Sequence, residues 1–504
     1  MSKHLKEVGC IIKNNKSDYN KPNVWVKFAK IAQETKGYNL GQGFPDWNPP
    51  DFYFDILNNQ LKNENNPEKL NHQYTRAFGS MNLVNSIISN YNNYYNYTNL
   101  YNKSNTLNAN NILVSTGGAG ALYNTITSLV NPGDEVVIIE PFYDSYYPVA
   151  KYSGAIVKGV SLIPPKFRNI EEYKNMLIND TYEVSKELSS YNKEDSASGI
   201  VYNKRIKTTL KDKWEFDFPN FYNSLNDQTK VVIINSPNNP TGKIFTEEEL
   251  EEIASMIIKK APNAYIISDE VYEHLYYDNF TSFPRLANLK NKDLNQEIWK
   301  RIITISSAGK IFSATGIRIG WIIANENTIN KIFVIHQYNS FCLYDPLQNL
   351  IAECLNKANN KYRGFDNYYE WLRDYYNKSR TYMFECLVNN THVFNNAYYK
   401  LKYWLPEGGY FIIGDIKESE CYKTNNNKIS KLNTAYNNDN NSNTDNILKN
   451  NDIYSLDLAY NKKLITIPMS CFYTPDNLDY SENYIRLAYC KKLESIDNAF
   501  KNTI

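Results

Sequence analysis

The stretch "ITISSAGKIFSATGIRIGW" (303–321) delivers a lysine to the end of a buried strand. Lys310 follows the apolar run Ile302 to Ile305 and the small residues Ser307, Ala308 and Gly309. Desolvation penalises an ammonium there, so the amine's pKa falls and it becomes a usable nucleophile towards a carbonyl. Asp269 ends the run Tyr265 to Ile267 and poses the mirror problem, because a poorly hydrated carboxylate calls for something cationic to face it. Ser307, three residues before Lys310, and Arg318, eight after it, add a hydroxyl and a guanidinium suited to a phosphate. "STGGAGAL" (115–122) opens a helix, and its backbone N–H groups around Gly118 make a second, independent anion site with the helix dipole. Taken singly, Asp269 is equally a helix cap or salt-bridge partner, Lys310 a surface lysine, Ser307 and Arg318 a turn hydroxyl and a surface cation, and the glycines a tight turn.

Together they narrow the chemistry. Gly118 and Gly120 begin a G-x-G pattern, but Tyr123 occupies the third glycine position of a dinucleotide fingerprint, and the Gly-Lys-Ser/Thr of a triphosphate loop is missing. What remains is a call for an aldehyde at Lys310, a basic ring nitrogen at Asp269 and a phosphate at the Gly/Ser/Arg cluster. Pyridoxal 5'-phosphate carries all three.

The elements that must position these residues alternate strand and helix. "NILVSTGGAGALYNTITSLV" (111–130) reads as strand, glycine turn and helix, and "DEVVIIEP" (134–141) as a buried strand. "KVVIINSPNNPTG" (230–242) and "AYIISDEVY" (264–272) repeat the strand-then-polar-turn theme around a helix at 246–260, where Thr246 and Glu249 are spaced as a capping box. Buried strands joined by crossover helices predict an α/β domain with a mainly parallel sheet, and ligands of such sheets bind at the carboxyl ends of the strands. After residue 350 the pattern changes to a helical stretch followed by strands around 408–416, 463–470 and 483–491, which predicts a smaller α+β domain. Three segments rich in Asn, Lys, Tyr and Ser, at 91–110, 164–214 and 420–452, read as loops or insertions.

On these motifs the chain resembles the fold-type I, class I pyridoxal-phosphate aminotransferases, and within them the kynurenine aminotransferase / glutamine transaminase K / cysteine-S-conjugate β-lyase family. The matching stretches include "NLGQGFPDWNPPDF" (39–52), "HQYTRAFGSMNL" (72–83), "PGDEVVIIEPFYDSYYP" (132–148), "NSPNNPTGKIFTEEEL" (235–250), "SDEVYEHLYYD" (268–278) and "YIRLAYCK" (484–491), in the family's order. The resemblance implies that Lys310 bonds the cofactor aldehyde and moves the substrate's α proton, while Asp269 keeps the pyridine nitrogen protonated. It further implies that Tyr272 and Asn239 meet the phenolic oxygen and Tyr143 stacks on the ring. Gly118, Ala119, Ser307 and Arg318 would hold the phosphate, with Tyr74 reaching it from the partner of a homodimer. Arg486, with Gly41 and Asn239 nearby, would clamp the α-carboxylate, and Trp25 would line the substrate pocket. Standing alone, Arg486 reads as a strand-end salt bridge and Trp25 as a core residue. The sequence departs from the pattern at Ala119, where the family has an aromatic residue, and near Cys342, where some members place a histidine; His336 reads as a helix residue instead.

The expected activity is therefore ping-pong transamination between a glutamine, kynurenine, methionine or aromatic amino acid and a 2-oxo acid, with cysteine-conjugate β-elimination as a side activity. A pyridoxal-phosphate lyase, such as a 1-aminocyclopropane-carboxylate synthase-like enzyme, and a non-catalytic binding protein on the same fold are the competing readings. Expected domains are an N-terminal segment (1–62) joining the small domain, a large cofactor-binding domain (63–350) and a small C-terminal domain (351–504). With 504 residues, a net charge of +1 and no long basic face, neither nucleic acid nor an anionic membrane surface is an expected partner. Seven scattered cysteines show no C-x-x-C spacing, so no metal site is expected and they read as reduced thiols of a cytoplasmic protein. The first twenty residues lack the apolar core of a secretory signal, and no run approaches the ~18 apolar residues of a membrane span.

Overall fold

The computed structural model describes residues 24–62, 72–95, 107–166, 170–179, 181–183, 202–207, 213–277, 280–389, 393–424 and 449–501. Expectations for residues 1–23, Cys10 among them, and for 96–106, 184–201 and 425–448 lie outside the described residues.

Seven strands form the central sheet: β1 (Ile112–Ser115), β2 (Glu135–Glu140), β3 (Ile156–Ser161), β4 (Thr229–Asn235), β5 (Tyr265–Asp269), β6 (Ile302–Ser307) and β7 (Gly320–Ala324). Their spatial order is β1-β7-β6-β5-β4-β2-β3, and only β7 runs antiparallel to its neighbours. The near-continuous apolar runs follow from burial on both faces. Val136 and Ile138 enter one core cluster while Val137 and Ile139 enter the other, and β4 splits Val231 and Ile233 from Val232 and Ile234 in the same way. A four-stranded antiparallel sheet comprises β8 (Lys402–Tyr403), β9 (Phe411–Asp415), β10 (Ile467–Pro468) and β11 (Tyr484–Ala488), in the order β8-β9-β11-β10. Around the sheets run helices, among them α1 (Val24–Thr35), α2 (Gly117–Leu129), α3 (Ile170–Asn179), α4 (Glu247–Lys260), α5 (Glu326–Asn339) and α6 (Tyr368–Asn389).

Helices α2 and α5 pack on one face of the large sheet and α4 on the other. The start of α4 carries the capping box: the Thr246 hydroxyl accepts from the Glu249 N–H at 3.2 Å and the Glu249 carboxylate accepts from the Thr246 N–H at 2.9 Å. Leu250, Ile253, Ala254 and Ile257 form its buried stripe. His336 is buried within α5, bonded to Asn124 and the Ala77 carbonyl.

Register places polar strand ends at one level. Asn235 pairs with Asp269 across β4 and β5, and Gly320 pairs with both Ser115 and Ser307. The small sheet is tied on nearby. Residues 38–39 pair in parallel with 464–465, and the buried Glu140 carboxylate at the end of β2 accepts from the Thr474 N–H (2.6 Å) and the Asn477 side chain.

The segment 164–214, read as loop or insertion, is not all loop among its described residues. It contains α3 and a hairpin of Thr181–Glu183 with Lys204–Ile206. Its scarce apolar residues dock on a ready-made partner rather than build a core. Tyr173 stacks on Tyr403 (centroids 4.7 Å apart), and the Ile206 N–H donates to Thr381 of α6 (3.0 Å). Arg205, 2% exposed, grips Asp374 of α6 through Nε and Nη2 at 2.8 and 2.6 Å. Asp374→Ala leaves that guanidinium with only the Lys204 carbonyl among the described residues. The expected loss is about 3 kcal/mol, read as a lower urea midpoint. Lys174→Ala, at an exposed pair with Glu171, should change the midpoint by less than about 0.5 kcal/mol's worth.

Candidate functional site

Lys310 follows β6 in the helical turn Ala308–Ile311, so the strand end sets the depth of its amine. Nζ donates to the Tyr410 hydroxyl oxygen at 2.6 Å, with a longer contact of 3.3 Å to the Gly43 carbonyl. Burial pulls its pKa down to about 8, with the Arg486 and Arg318 charges acting in the same direction and Cys490 and Asp269 opposing. Asp269 ends β5. Its Oδ2 accepts from the Tyr146 hydroxyl (2.5 Å) and Oδ1 from the Val271 N–H (3.3 Å). Burial lifts this carboxyl to about 6 against those hydrogen bonds and the nearby lysine. Both residues line one cavity of about 280 Å³, yet neither hydrogen-bonds the other.

At one end of the cavity lies an anion cradle. Helix α2 begins at Gly117, and its first turn presents Gly118 and Ala119 to the cavity beside Ser307. Arg318, itself in the left-handed backbone region, packs its guanidinium against Gly117: a Cβ at that position would lie 3.1 Å from the guanidinium carbon. Gly117 also has φ +72°, so glycine serves both the turn and the close approach. The guanidinium bonds only the Thr315 carbonyl (3.2 Å) and has no carboxylate partner among the described residues.

At the other end, Arg486 of β11 is 1% exposed. Nη1 donates to Asn239 Oδ1 (2.9 Å) and Nη2 to the Gly41 carbonyl (2.7 Å), while Nε has no hydrogen-bond partner among the described residues. Aromatic faces surround it, with ring centroids of Phe411, Trp25 and Phe472 at 3.9, 4.8 and 4.9 Å from the guanidinium carbon. Burial lowers its pKa, and no carboxylate among the described residues pairs with it. Trp25, in the first turn of α1, donates its indole N–H to Asp144 (2.7 Å), whose carboxyl burial raises to about 6.

Of the residues singled out in the sequence, Trp25, Gly118, Ala119, Tyr143, Asn239, Asp269, Tyr272, Ser307, Lys310, Arg318 and Arg486 line this one cavity. Gly41 lies behind it as the acceptor for Arg486. Tyr74 lies outside it, 84% exposed and edge-on to Phe341. Sequence reasoning missed Tyr146 and Tyr410, which hold Asp269 and Lys310, and Asn235, which accepts from the Asn239 N–H (2.6 Å) and donates to the Asp269 carbonyl (2.9 Å). Asn235 opens the polar turn after β4 and carried a signal; the two tyrosines lie among 43 and carried none. The donor set fits pyridoxal phosphate: a buried carboxylate for a ring nitrogen, an amine of lowered pKa for an aldehyde, and a cation without a carboxylate partner over a helix start for a phosphate. Among the described residues no cluster of His, Cys, Asp or Glu could hold a metal, and no helix is long and apolar enough to cross a membrane.

Comparison with known proteins agrees. The family model for aminotransferase class I and II matches residues 46–176 and 189–501. Kynurenine–oxoglutarate transaminase of Dictyostelium discoideum is 30% identical over 483 residues, 96% of this chain and 94% of that protein. Kynurenine–oxoglutarate transaminase 3 of Rattus norvegicus is 31% identical over 481 residues, 95% of this chain and 86% of that one. The crystal structure of Bna3p from Saccharomyces cerevisiae aligns with a TM-score of 0.70 at 29% identity, covering 97% of each chain. With the fold, the cavity and these matches in agreement, the chain belongs to the class I and II aminotransferases and is a pyridoxal-phosphate-dependent aminotransferase.

Proposed function

We propose that this aminotransferase takes a kynurenine-like or aromatic amino acid as donor, with glutamine and methionine as further donors, and a 2-oxo acid such as 2-oxoglutarate as acceptor. One observation carries the reading: the Arg486 guanidinium is buried, forms no ion pair among the described residues because the nearby Asp144 carboxylate is engaged by Trp25, and has an unpaired Nε amid three aromatic rings. A carboxylate shared by amino acid and oxo acid answers the charge, and the rings favour a flat or flexible apolar side chain beside it. The relatives' names, which mention kynurenine and oxoglutarate, support the same choice.

When bound, pyridoxal phosphate supplies an electron sink for the pair released at the substrate's α-carbon. Lys310 Nζ moves the proton at that carbon. Asp269, kept in place by the Tyr146 hydroxyl, would hold a proton on the ring nitrogen. The amides of Gly118 and Ala119, with Ser307 and Arg318, would hold the phosphate. Tyr143, Tyr272 and Asn239 line the same cavity and would hold the ring and its phenolic oxygen; burial raises the Tyr272 pKa, so its phenol stays a donor. Arg486, braced by Gly41 and Asn239, orients the carboxylate. The exposed aromatic surface of Tyr74 and Phe341, with Tyr344 bonded to His72, suits a second copy of the chain, and Tyr74 would then serve the other subunit's phosphate. The six described cysteines are free thiols, which suits the reducing cytoplasm.

Incubated with kynurenine and 2-oxoglutarate, the enzyme is expected to form glutamate, and Arg486→Lys should raise KM for both partners about 10- to 100-fold. Ammonia and pyruvate from a cysteine conjugate without a new amino acid would assign a lyase instead. The mass in solution should be twice the 58.6 kDa chain; a monomer with full turnover would remove Tyr74 from the site.

Lys310→Met should lower turnover at least roughly 10³-fold. The same substitution should stabilise the cofactor-free protein at neutral pH. Between about 8, where the folded amine titrates, and the ordinary 10.5, only the unfolded chain carries the proton, so wild-type stability rises with pH across that window. The advantage of Lys310→Met, about 3 kcal/mol at pH 7 in a chemical denaturation series, should therefore shrink from pH 8 upward and vanish above 10.5.

A further inference from the structure

We propose that Tyr410 is a positioning residue for Lys310, aiming the free electron pair of its amine into the cavity whenever Nζ is not covalently engaged. The inference rests on the reading of Lys310 as the group that moves the substrate's α proton. Tyr410 stands at the end of the turn "EGGY" that leads into β9, and its side chain is fully buried. Its hydroxyl proton is already used, donated to the Gly43 carbonyl at 2.7 Å. The oxygen can therefore only accept from Lys310, at 2.6 Å. A neutral amine has two N–H groups and one lone pair. One N–H goes to Tyr410 and the other points towards the Gly43 carbonyl at 3.3 Å, which leaves the lone pair directed away from both. Lys310 and Gly43 both line the cavity and Tyr410 does not, so the side of the amine opposite the hydroxyl is the cavity side, and the lone pair is left there beside the N–H that points to Gly43.

The arrangement is rigid. The Tyr410 ring stacks on Tyr376 with centroids 5.7 Å apart and meets Tyr272 and Phe411 edge-on at 5.0 and 4.7 Å. Gly43 lets its carbonyl approach, since a Cβ there would lie 2.5 Å from the Phe411 ring and 2.9 Å from that of Tyr410. The other titratable or charged groups that bear on Lys310 are Cys490, Arg486, Arg318, Asp269 and Tyr272. None of them hydrogen-bonds Nζ, so the hydroxyl and the Gly43 carbonyl are its direct partners among the described residues.

Tyr410→Phe keeps the ring and removes the hydroxyl. In the cofactor-free protein, pulse labelling of amines with acetic anhydride across a pH series, followed by mass analysis of the peptide containing Lys310, reports its titration and reactivity directly. Loss of an acceptor that favours the ammonium should move the labelling midpoint down by about half a unit or more. In the loaded enzyme kcat should fall about tenfold or more, with substrate Kd unchanged and a larger isotope effect from α-deuterated amino acid. Tyr376→Phe alters the same aromatic stack without touching Lys310 and should leave midpoint and isotope effect alone. A wild-type midpoint and isotope effect in Tyr410→Phe would overturn the proposal, as would an equal change in Tyr376→Phe, which would mark a packing effect. Lys310→Met separates the two readings. If it abolishes α-proton removal while Tyr410→Phe does nothing, Lys310 keeps its role and Tyr410 loses its own; if it retains turnover, the reading of Lys310 fails first.

Discussion

Lys310, Arg486 and Asp269 line the same cavity and remain unpaired with one another. Withdrawing a charge from water without an opposite partner costs several kcal/mol, and deleting such a group generally stabilises a fold. The neighbours of these three do not neutralise them. Asp269 is met by a hydroxyl and an amide, Lys310 by a hydroxyl and a carbonyl, and Arg486 by a carbonyl, a side-chain amide oxygen and ring faces. Neutral dipoles fix where a charge points while leaving it uncancelled. With Arg318, the cavity therefore keeps three cations and a carboxylate available for a ligand that carries the complementary set.

Those neighbours come from distant parts of the chain. Arg486 rises from β11 of the small sheet, but its acceptors are Asn239, in the turn after β4, and Gly41, beside the strand that pairs with residues 464–465. Lys310 leaves β6 and is met by Tyr410, at the entrance to β9. Glu140, at the end of β2, bonds Thr474 and Asn477. The carboxylate clamp and the amine thus both straddle the seam between the sheets, and the position of the small sheet is part of the chemistry.

This division explains what could be read in advance. Strand ends are local: an apolar run that stops at Asp269 or Ser307, or a capping box at Thr246 and Glu249, is written in consecutive residues, and the parallel sheet follows from the two-sided burial of β2, β4, β5 and β6. Asp269, Ser307, Lys310, Arg318 and Gly118 gather in the cavity from stretches of this kind; Trp25, Ala119, Tyr143, Asn239, Tyr272 and Arg486 line it with them but are singled out by the family resemblance, not by local pattern. Tyr410 and Tyr146 escape the same reasoning. Each acts on a residue 100 or more positions away, at 310 and 269, and nothing in the flanking sequence reveals which hydroxyl has a distant partner. The segment 164–214 was illegible for a related reason. Its one short apolar stripe, Tyr173 with Met176 and Leu177, and the isolated Ile206 fold against α6 and β8, surfaces that exist only once the rest has assembled.

The aromatic residues around Arg486 link strength to selectivity. A ring face attracts a guanidinium without cancelling its charge, so Phe411, Trp25 and Phe472 lower the cost of burying Arg486 and still leave it free to bind a carboxylate. Trp25 and Phe411 also form part of the cavity wall against which a substrate side chain must lie. Trp25 is itself oriented by Asp144, whose carboxylate would otherwise be drawn to the cation it stands near. The same side chains therefore set how firmly any carboxylate is held and which side chains are admitted beside it. At Trp25 the two properties cannot be varied independently: trimming the ring to admit a bulkier donor also withdraws support from the guanidinium that every donor and acceptor must use.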